Sequence, residues 1–181
     1  MLKIYAIAHE DSDRHEAARM LLRWKYEELW QQPMPEIVIG ERGKPTFASG
    51  SARFSISHTK GASFCALCDG EIGIDVERIR SVSAAVAQRT LSRDEWEQYS
   101  AAENPSVEFL KIWTLKEAYV KLTGEGLHGD LRKIAFDFSQ PRPRLIERPD
   151  LQFWCRQIGE FVLAACADTW HRPEVYMEEV T

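Results

Sequence analysis

The sequence lacks the features of a membrane, secreted or nucleic-acid-binding protein. Its longest purely apolar run, FVLAACA at 161–167, is much shorter than the roughly 20 residues of a transmembrane helix. The N-terminus MLKIYAIAHEDSD has neither the basic start nor the apolar stretch of a signal peptide. A net charge of −5 gives no general affinity for nucleic acid. We therefore expect a cytoplasmic monomer with no nucleic-acid or membrane partner.

Cysteine is scarce, and its spacing does not indicate a metal or redox site. Cys65 and Cys68 form a C-x-x-C within SFCALC, a strand-like run in which residues three apart face opposite sides. The sequence has no second C-x-x-C and no nearby histidine pair to complete such a site. We expect plain buried thiols here, and the same for Cys155 and Cys166 in other apolar stretches.

What is present is the pattern of a globular α+β protein. A hydrophobic content of 44% and a charged content of 28% over 181 residues are ordinary for a soluble protein of one domain or two small ones. KIYAIA reads as a strand, Asp13 with Glu16 marks a helix start, and a helix from about Arg14 to Trp30 follows. Short β-rich runs lead to residue 78, helices extend from Ser83 to Thr123, and KIAFDF, LQFWCRQI and EFVLAACAD are strands again.

This order of elements predicts two similar α/β halves, 1–80 and 81–181. Each half would be a small, mostly antiparallel sheet packed against helix, and the halves would meet near residue 80.

The stretch EIGIDVERIR at 71–80 places two carboxylates on one face of a strand. In strand geometry Ile72, Ile74 and Val76 point to one side, whereas Asp75 and Glu77 point to the other. Adjacent carboxylates repel each other unless a positive group lies between them. Taken alone, the pair is more typical of a solvated strand face.

The long helical stretch adds a third carboxylate and an ammonium group. Trp113, Glu117 and Lys121 recur at intervals of four and share a helix face. Taken alone, Glu117 and Lys121 are typical of a surface pair that contributes ~0.3–0.5 kcal/mol. Three carboxylates from a strand end and a helix, however, are the hard oxygen ligands that Mg²⁺ prefers, usually together with water and substrate phosphate.

Basic, glycine- and serine-rich segments suit the phosphate side of such a site. The chain offers Arg14 at a helix start, RGKP at 42–45 and SISHTKG at 55–61. Each segment alone is equally typical of a solvated arginine, a turn, or a strand with a polar end.

IGIDVE and WTLKEAYVKLTGEGL together resemble the two signature motifs of the 4′-phosphopantetheinyl transferases, specifically the single-chain Sfp type built from two similar halves. The second motif, aromatic–Ser/Thr–x–Lys–Glu–Ala/Ser–x–x–Lys, is matched throughout by Trp113 to Lys121. GKP and FSISH stand at the expected places upstream, so the resemblance extends from Arg14 to about Asp168.

The resemblance implies Mg²⁺-dependent transfer of the 4′-phosphopantetheine group of coenzyme A to a serine of an apo acyl or peptidyl carrier protein. The other product is 3′,5′-ADP, and the pathway is fatty acid or secondary metabolite biosynthesis. The active site lies at the junction of the halves: 1–80 supplies the coenzyme A phosphate contacts and the metal-binding strand, and 81–181 supplies the catalytic helix and the carrier-facing region. The implied residues are Asp75, Glu77 and Glu117 for the metal, Arg14, Lys44, Ser57, His58 and Lys121 for coenzyme A, and Glu117 and Lys121 for catalysis.

These residues suit the chemistry of phosphoryl transfer. Lys121 would stabilise negative charge on the pyrophosphate, and Glu117 is the nearest base for the serine proton, directly or through a metal-bound water. Lys116 points to another part of the helix surface and would support the site from outside. Carrier helices in this family are commonly acidic, and their candidate contacts are Arg78, Arg80, Arg89 and Arg93.

Two other functions fit the same residues. One is a Mg²⁺-dependent phosphohydrolase, which would turn over a nucleotide or coenzyme A without any carrier. The other is a non-catalytic module, which would bind coenzyme A without turnover or use its carboxylates only to hold the halves together.

Overall fold

The computed structural model describes residues 1–9, 14–40, 43–126 and 130–178. Asp13 of the predicted helix start and Arg42 of the RGKP segment lie outside the described residues. The helices are α1 (Arg14–Trp30), α2 (Ala84–Thr90), α3 (Arg93–Ala101) and α4 (Pro105–Thr123), and a 3-10 turn spans Leu131–Lys133. The strands are β1 (Leu2–Ala8), β2 (Ile37–Ile39), β3 (Pro45–Phe47), β4 (Arg53–Thr59), β5 (Ala62–Cys68), β6 (Ile72–Arg78), β7 (Phe136–Asp137), β8 (Arg144–Leu145), β9 (Gln152–Ile158), β10 (Phe161–Ala167) and β11 (Glu174–Glu178).

One topological unit, a strand followed by a helix and a hairpin, occurs twice along the chain. The first unit consists of β1, α1 and the β4–β5 hairpin, and its strands form an antiparallel sheet in the order β1-β5-β4. The second unit consists of β6, α4 and the β9–β10 hairpin, and its strands form the equivalent sheet in the order β6-β10-β9. The α+β class and the two similar halves are therefore confirmed.

Strand pairing departs from the predicted organisation at two places. β6, which falls within 1–80, pairs with β10 of the second sheet, so the chain changes sheets before residue 72 rather than near residue 80. β11, which the sequence did not indicate as a strand, returns to the first sheet and pairs in parallel with β1. Both pairings join strands that are far apart in the sequence, and local patterns do not encode them.

The two sheets share a central core and each has a helix on its outer side. α1 packs against the first sheet and α4 against the second, while the inner faces enclose residues such as Ile4, Phe64, Ile74 and Leu163. Cys65 and Cys68 are free and buried on opposite faces of β5, as predicted. Among the described residues, no helix has the length and apolar character to cross a membrane.

Gly73 allows β6 to lie directly on α4. A Cβ atom at this position would come within 2.0 Å of the Ala118 carbonyl oxygen and 2.5 Å of the Leu122 amide nitrogen. α4 itself is fixed at both ends: the Asn104 side chain accepts a hydrogen bond from the Val107 amide, and Gly124 ends the helix at φ 70°. This close contact brings the polar face of β6 to the polar face of α4.

The edges of the two sheets are joined by side-chain hydroxyls, in a contact that we call the β4–β6 seam. Alternate residues of β4 point to β6 and accept hydrogen bonds from alternate backbone amides of that strand. The three pairs are Ser55 with the Ile74 amide at 3.0 Å, Ser57 with the Val76 amide at 3.1 Å, and Thr59 with the Arg78 amide at 3.1 Å.

Candidate active site

The β4–β6 seam and α4 meet at a buried polar cluster of Ser57, Asp75 and Lys121. The Lys121 ammonium donates to Asp75 Oδ1 at 2.7 Å and to Ser57 Oγ at 3.0 Å, and Ser57 donates to the same Asp75 oxygen at 2.9 Å. Ser57 also accepts the Val76 amide, so its one donor and two acceptor sites are all used. A contact from Ser57 to coenzyme A would have to replace one of these bonds.

Glu77 and Glu117 lie beside Asp75 and experience its negative charge. Burial, with Asp75 next in importance, raises the pKa of Glu117 to about 7, although Lys121 opposes the change. Burial and Asp75 likewise raise the pKa of Glu77, which accepts a hydrogen bond from Trp113 and lies 3.6 Å from Arg80. The structure thus places the three predicted carboxylates together, at the predicted junction of strand and helix.

The chemistry of this donor set fits a divalent cation. Burial, and after it the charge of Asp75, raises the pKa values of Glu77 and Glu117, and a cation among the three carboxylates would offset both effects. Within the described ranges, no group of three or more His, Cys, Asp or Glu side chains already has the arrangement of a metal centre. A physical reason is visible at Asp75, whose carboxylate is engaged by the Lys121 ammonium.

His58 lies close enough to Arg14 and Lys121 to experience their charges. The His58 ring makes an edge contact with His15, with 4.2 Å between ring centroids. Burial, followed by the charges of His15, Arg14 and Lys121, lowers the pKa of His58. Three of the predicted phosphate contacts therefore form one positively charged neighbourhood.

Lys44, the remaining predicted phosphate contact, bridges the two halves. Its ammonium donates to Glu71 at 2.6 Å and to the Leu122 carbonyl near the end of α4 at 2.7 Å. Arg53 donates to the other oxygen of Glu71 at 2.9 Å. Burial works to raise the pKa of Glu71, but Lys44 and Arg53 outweigh it and the pKa is lowered. Sequence reasoning missed Glu71, although it opens the EIGIDVE motif.

A cavity of about 330 Å³ connects the predicted motifs. GKP supplies Lys44, FSISH supplies Ser55, and α4 supplies Glu117 and Lys121; the remaining lining residues are Gly43, Pro45, Phe54, Ile56, Val120, Gly124 and Gly126. The cavity has apolar walls with charged groups at one side, an arrangement typical of small-molecule sites.

Lys116 is an internal structural residue. Its side chain is fully buried, and its ammonium donates to Glu95 at 2.6 Å and to the carbonyls of Thr90 and Leu131 at 2.9 Å each. Glu95 in turn accepts the amides of Ser92 and Phe136. Lys116 thus ties α4 to α2, α3 and the 3-10 turn, a buried role that the alternation of charged residues along the helix did not reveal.

The arginines expected to face a carrier differ in their surroundings. Arg78 pairs with Glu160 at 2.6 Å, Arg80 with Glu77 at 3.6 Å, and Arg93 with Glu97 at 3.4 Å. Arg89 is exposed near the end of α2 and forms no ion pair with the described residues.

The sequence model of the 4′-phosphopantetheinyl transferase superfamily matches residues 71–166, the segment that contains Asp75, Glu77, Glu117 and Lys121. The chain belongs to this superfamily. The match begins at Glu71 and covers β6, α4, β9 and nearly all of β10, so the second sheet and its helix lie within the matched segment.

Curated relatives include 4′-phosphopantetheinyl transferases from several bacilli. The transferase psf-1 of Bacillus pumilus is 30% identical over 150 residues, covering 80% of this chain and 64% of the relative. Sfp of Bacillus subtilis strain 168 is 29% identical over 151 residues, covering 81% and 67%. The transferase gsp of Aneurinibacillus migulanus is 29% identical over 135 residues, covering 72% and 56%. The matched segments thus span between about half and two thirds of the length of these relatives. The predicted resemblance to the Sfp type is confirmed.

Solved structures similar to this chain include holo-[acyl-carrier-protein] synthase from Thermotoga maritima, with a TM-score of 0.47 and 23% identity over 54% of this chain and 61% of that one. The corresponding synthase from Neisseria meningitidis gives a TM-score of 0.47 and 21% identity over 54% of this chain and 95% of that one.

Proposed function

We propose that this protein transfers the 4′-phosphopantetheine group of coenzyme A to a serine hydroxyl of an apo acyl or peptidyl carrier protein, with Mg²⁺, and releases 3′,5′-ADP. The observation that carries the proposal is the meeting of Asp75, Glu77, Glu117 and Lys121 beside a cavity that also contains Lys44. Membership of the superfamily supports the same reaction.

The protein residues divide the work between binding and proton transfer. Lys44, His58 and Arg14 would bind the phosphates of coenzyme A, because they are the basic groups of the cavity and of the neighbourhood beside it. Lys121 would turn from Asp75 towards the pyrophosphate and stabilise the charge that develops there. Glu117 would accept the proton of the carrier serine, since it is the cavity carboxylate with the raised pKa.

Asp75, Glu77 and Glu117 would hold Mg²⁺. When bound, the ion would neutralise the pyrophosphate and orient its oxygens for displacement. Both sheets supply part of this arrangement through the β4–β6 seam, so the reaction would take place where the halves meet.

The proposed setting is a monomer in the cytoplasm. All four cysteines are free thiols, as is usual for proteins of a reducing compartment.

Mass spectrometry of an apo carrier protein incubated with this protein, coenzyme A and Mg²⁺ tests the proposal. The carrier should gain one phosphopantetheine, and removal of either Mg²⁺ or coenzyme A should abolish the gain. Glu117→Gln should lose the activity because the amide cannot accept the proton, while Glu103→Gln, the same change at an exposed site, should retain it. Consumption of coenzyme A without modification of the carrier would favour the phosphohydrolase instead, and unmodified carriers across a panel would reject the transferase.

A further inference from the structure

A second cavity, of about 390 Å³, lies away from the β4–β6 seam and is formed where the two sheets diverge. β1 and β11 form one wall and β9 and β10 the other. The seam closes the opposite edge of this sandwich, since it joins β4 and β6. The second cavity is therefore separate from the candidate active site, and none of its lining residues is shared with that site.

Cross-strand pairs build the walls. Ile4 of β1 pairs with Val175 of β11, and all four residues of two alternate β9–β10 pairs also line the cavity. Those pairs are Trp154 with Ala165 and Arg156 with Leu163. Residues on paired strands are fixed by the backbone ladder, and three prolines at the margin, Pro141, Pro143 and Pro173, restrict the loops. The cavity is therefore a preformed feature with an apolar floor.

Three arginines surround this floor. Arg142 comes from the loop before β8, Arg156 from β9, and Arg172 from the segment that leads into β11. All three are exposed, and none of them forms an ion pair with a carboxylate of the described residues. A chain with a net charge of −5 thus concentrates three cationic groups at one apolar opening.

The wall also contains a hydrogen-bond donor without an acceptor. The indole N–H of Trp154 is buried, and no described residue accepts it. Buried donors are nearly always satisfied in folded proteins, so an unsatisfied one in a cavity wall requires an explanation. The N–H is not accessible from the cavity in this structure, so a ligand acceptor would reach it only with a rotation of the Trp154 side chain.

We propose that this cavity binds a small amphipathic carboxylate, with its acidic group among Arg142, Arg156 and Arg172 and its apolar chain on the floor formed by Ile4, Leu163, Ala165 and Val175. Guanidinium groups bind carboxylates through paired, charge-assisted hydrogen bonds. A simple inorganic anion would leave the apolar floor unused, whereas a neutral chain would leave the arginines without a partner. The cavity shares no lining residue with the candidate active site, so this inference does not rest on the proposed transferase function.

Calorimetric titration of the full chain with a series of unbranched carboxylates tests the chemistry. From butanoate to octanoate the affinity should rise about fourfold for each methylene that is buried. Octanamide, which has the same chain without the charge, should bind about tenfold more weakly than octanoate. Equal affinity of octanoate and octanamide, or of acetate and octanoate, would overturn the proposal.

Substitutions locate the site. Arg156→Gln and Arg172→Gln should each weaken octanoate binding about tenfold, since each removes a charge-assisted contact. Arg23→Gln, the same change at an exposed position of α1, should have no effect. In spectra of ¹⁵N-labelled protein the indole N–H signal of Trp154, assigned with Trp154→Phe, should move on addition of octanoate. A stationary Trp154 signal during saturable binding, or unchanged affinity in both arginine variants, would place the ligand elsewhere.

Discussion

Lys116 and Glu95 form a fully buried ion pair, and its role follows from what surrounds it. Neither side chain is accessible to solvent, and burial lowers the pKa of Lys116 although Glu95 acts to raise it. Three acceptors satisfy the lysine ammonium. Such a pair contributes little net stability compared with an apolar pair, but loss of one partner leaves an uncompensated buried charge.

We expect Lys116→Met to lower the free energy of unfolding by about 3–5 kcal/mol, because Glu95 would remain buried without a cation. The double variant Lys116→Met/Glu95→Gln should recover part of this loss, since the glutamine is neutral and keeps one oxygen for one of the two backbone amides. Urea unfolding measures both changes. Lys111→Met, which breaks a more exposed pair with Glu108 on the same helix, should cost less than ~1 kcal/mol. A further loss in the double variant would contradict this account.

Ser57 orients Asp75 as well as joining the sheets, and Thr59, which does not line the candidate site, provides the comparison. Each hydroxyl accepts one amide of β6, but Ser57 also bonds to Asp75 and Lys121. We expect Ser57→Ala and Thr59→Val each to cost ~1–3 kcal/mol of stability for the amide left unsatisfied. Only Ser57→Ala should also reduce the rise in Tm that Mg²⁺ and coenzyme A produce together. Thermal unfolding with and without both ligands separates the effects, and equal ligand-induced shifts in the two variants would show that Asp75 does not depend on Ser57.

The elements that the sequence predicted well are those whose local pattern is complete. α1 has the predicted bounds, α4 ends at the predicted Gly124, and the alternation of β6 correctly assigned Ile74 to the core and Asp75 to the opposite face. β11 was missed because a five-residue edge strand shows little alternation, and its existence depends on β1, more than 160 residues away along the chain. Strand propensity is a local property, whereas strand pairing is not.

The glycine of IGIDVE has a role that only packing reveals. Gly73 lies on the same face of β6 as Asp75, and its missing side chain is what allows β6 and α4 to touch. The same contact sets the separation between Asp75 and Glu117, which belong to these two elements. α4 therefore approaches the carboxylates of β6 this closely only because β6 has no side chain at this position.

Gly73→Ala should separate β6 from α4. Its new methyl group would collide with the backbone at Ala118 and Leu122, which cannot rotate away, and we expect a loss of more than ~3 kcal/mol. Gly70→Ala is the matched control: there the methyl group would meet the Asp168 carboxylate at 2.2 Å, the end of an exposed side chain that can turn aside. Urea unfolding of both variants gives the comparison. Similar stability of the two variants would show that the strand and helix can move apart at little cost.

The assembled site depends on contacts between distant parts of the chain, and this limits what the sequence could reveal. The three carboxylates were predicted as a group because two lie on one strand and the third is in a matching motif. The contacts of Lys44 with Glu71 and with the Leu122 carbonyl could not be predicted, since they require the two sheets to be docked. The same holds for the positions of Arg14 and His58 beside Lys121.

The charge of the whole molecule bears on its recognition of a carrier. With a net charge of −5, the protein would repel an acidic partner at long range unless a local basic group attracts it. Arg78, Arg80 and Arg93 are each paired with a carboxylate, so their fields are partly cancelled. Arg89 has no such partner among the described residues, and it is exposed on α2, two residues before the buried Leu91.

We therefore expect Arg89→Glu to lower kcat/KM for the carrier several-fold at low ionic strength, mainly through slower association. Arg23→Glu makes the same change in net charge on the exposed side of α1 and separates overall charge from local charge. If the local field decides association, only Arg89→Glu should lower kcat/KM strongly. That loss should shrink as added salt shortens the Debye length from ~30 Å at 0.01 M to ~8 Å at 0.15 M. Turnover measured with carrier below its KM, at several salt concentrations, gives the comparison. Equal losses in the two variants would mean that net charge rather than α2 governs the encounter, and a loss in Arg89→Glu that persists at high salt would point to a short-range contact instead.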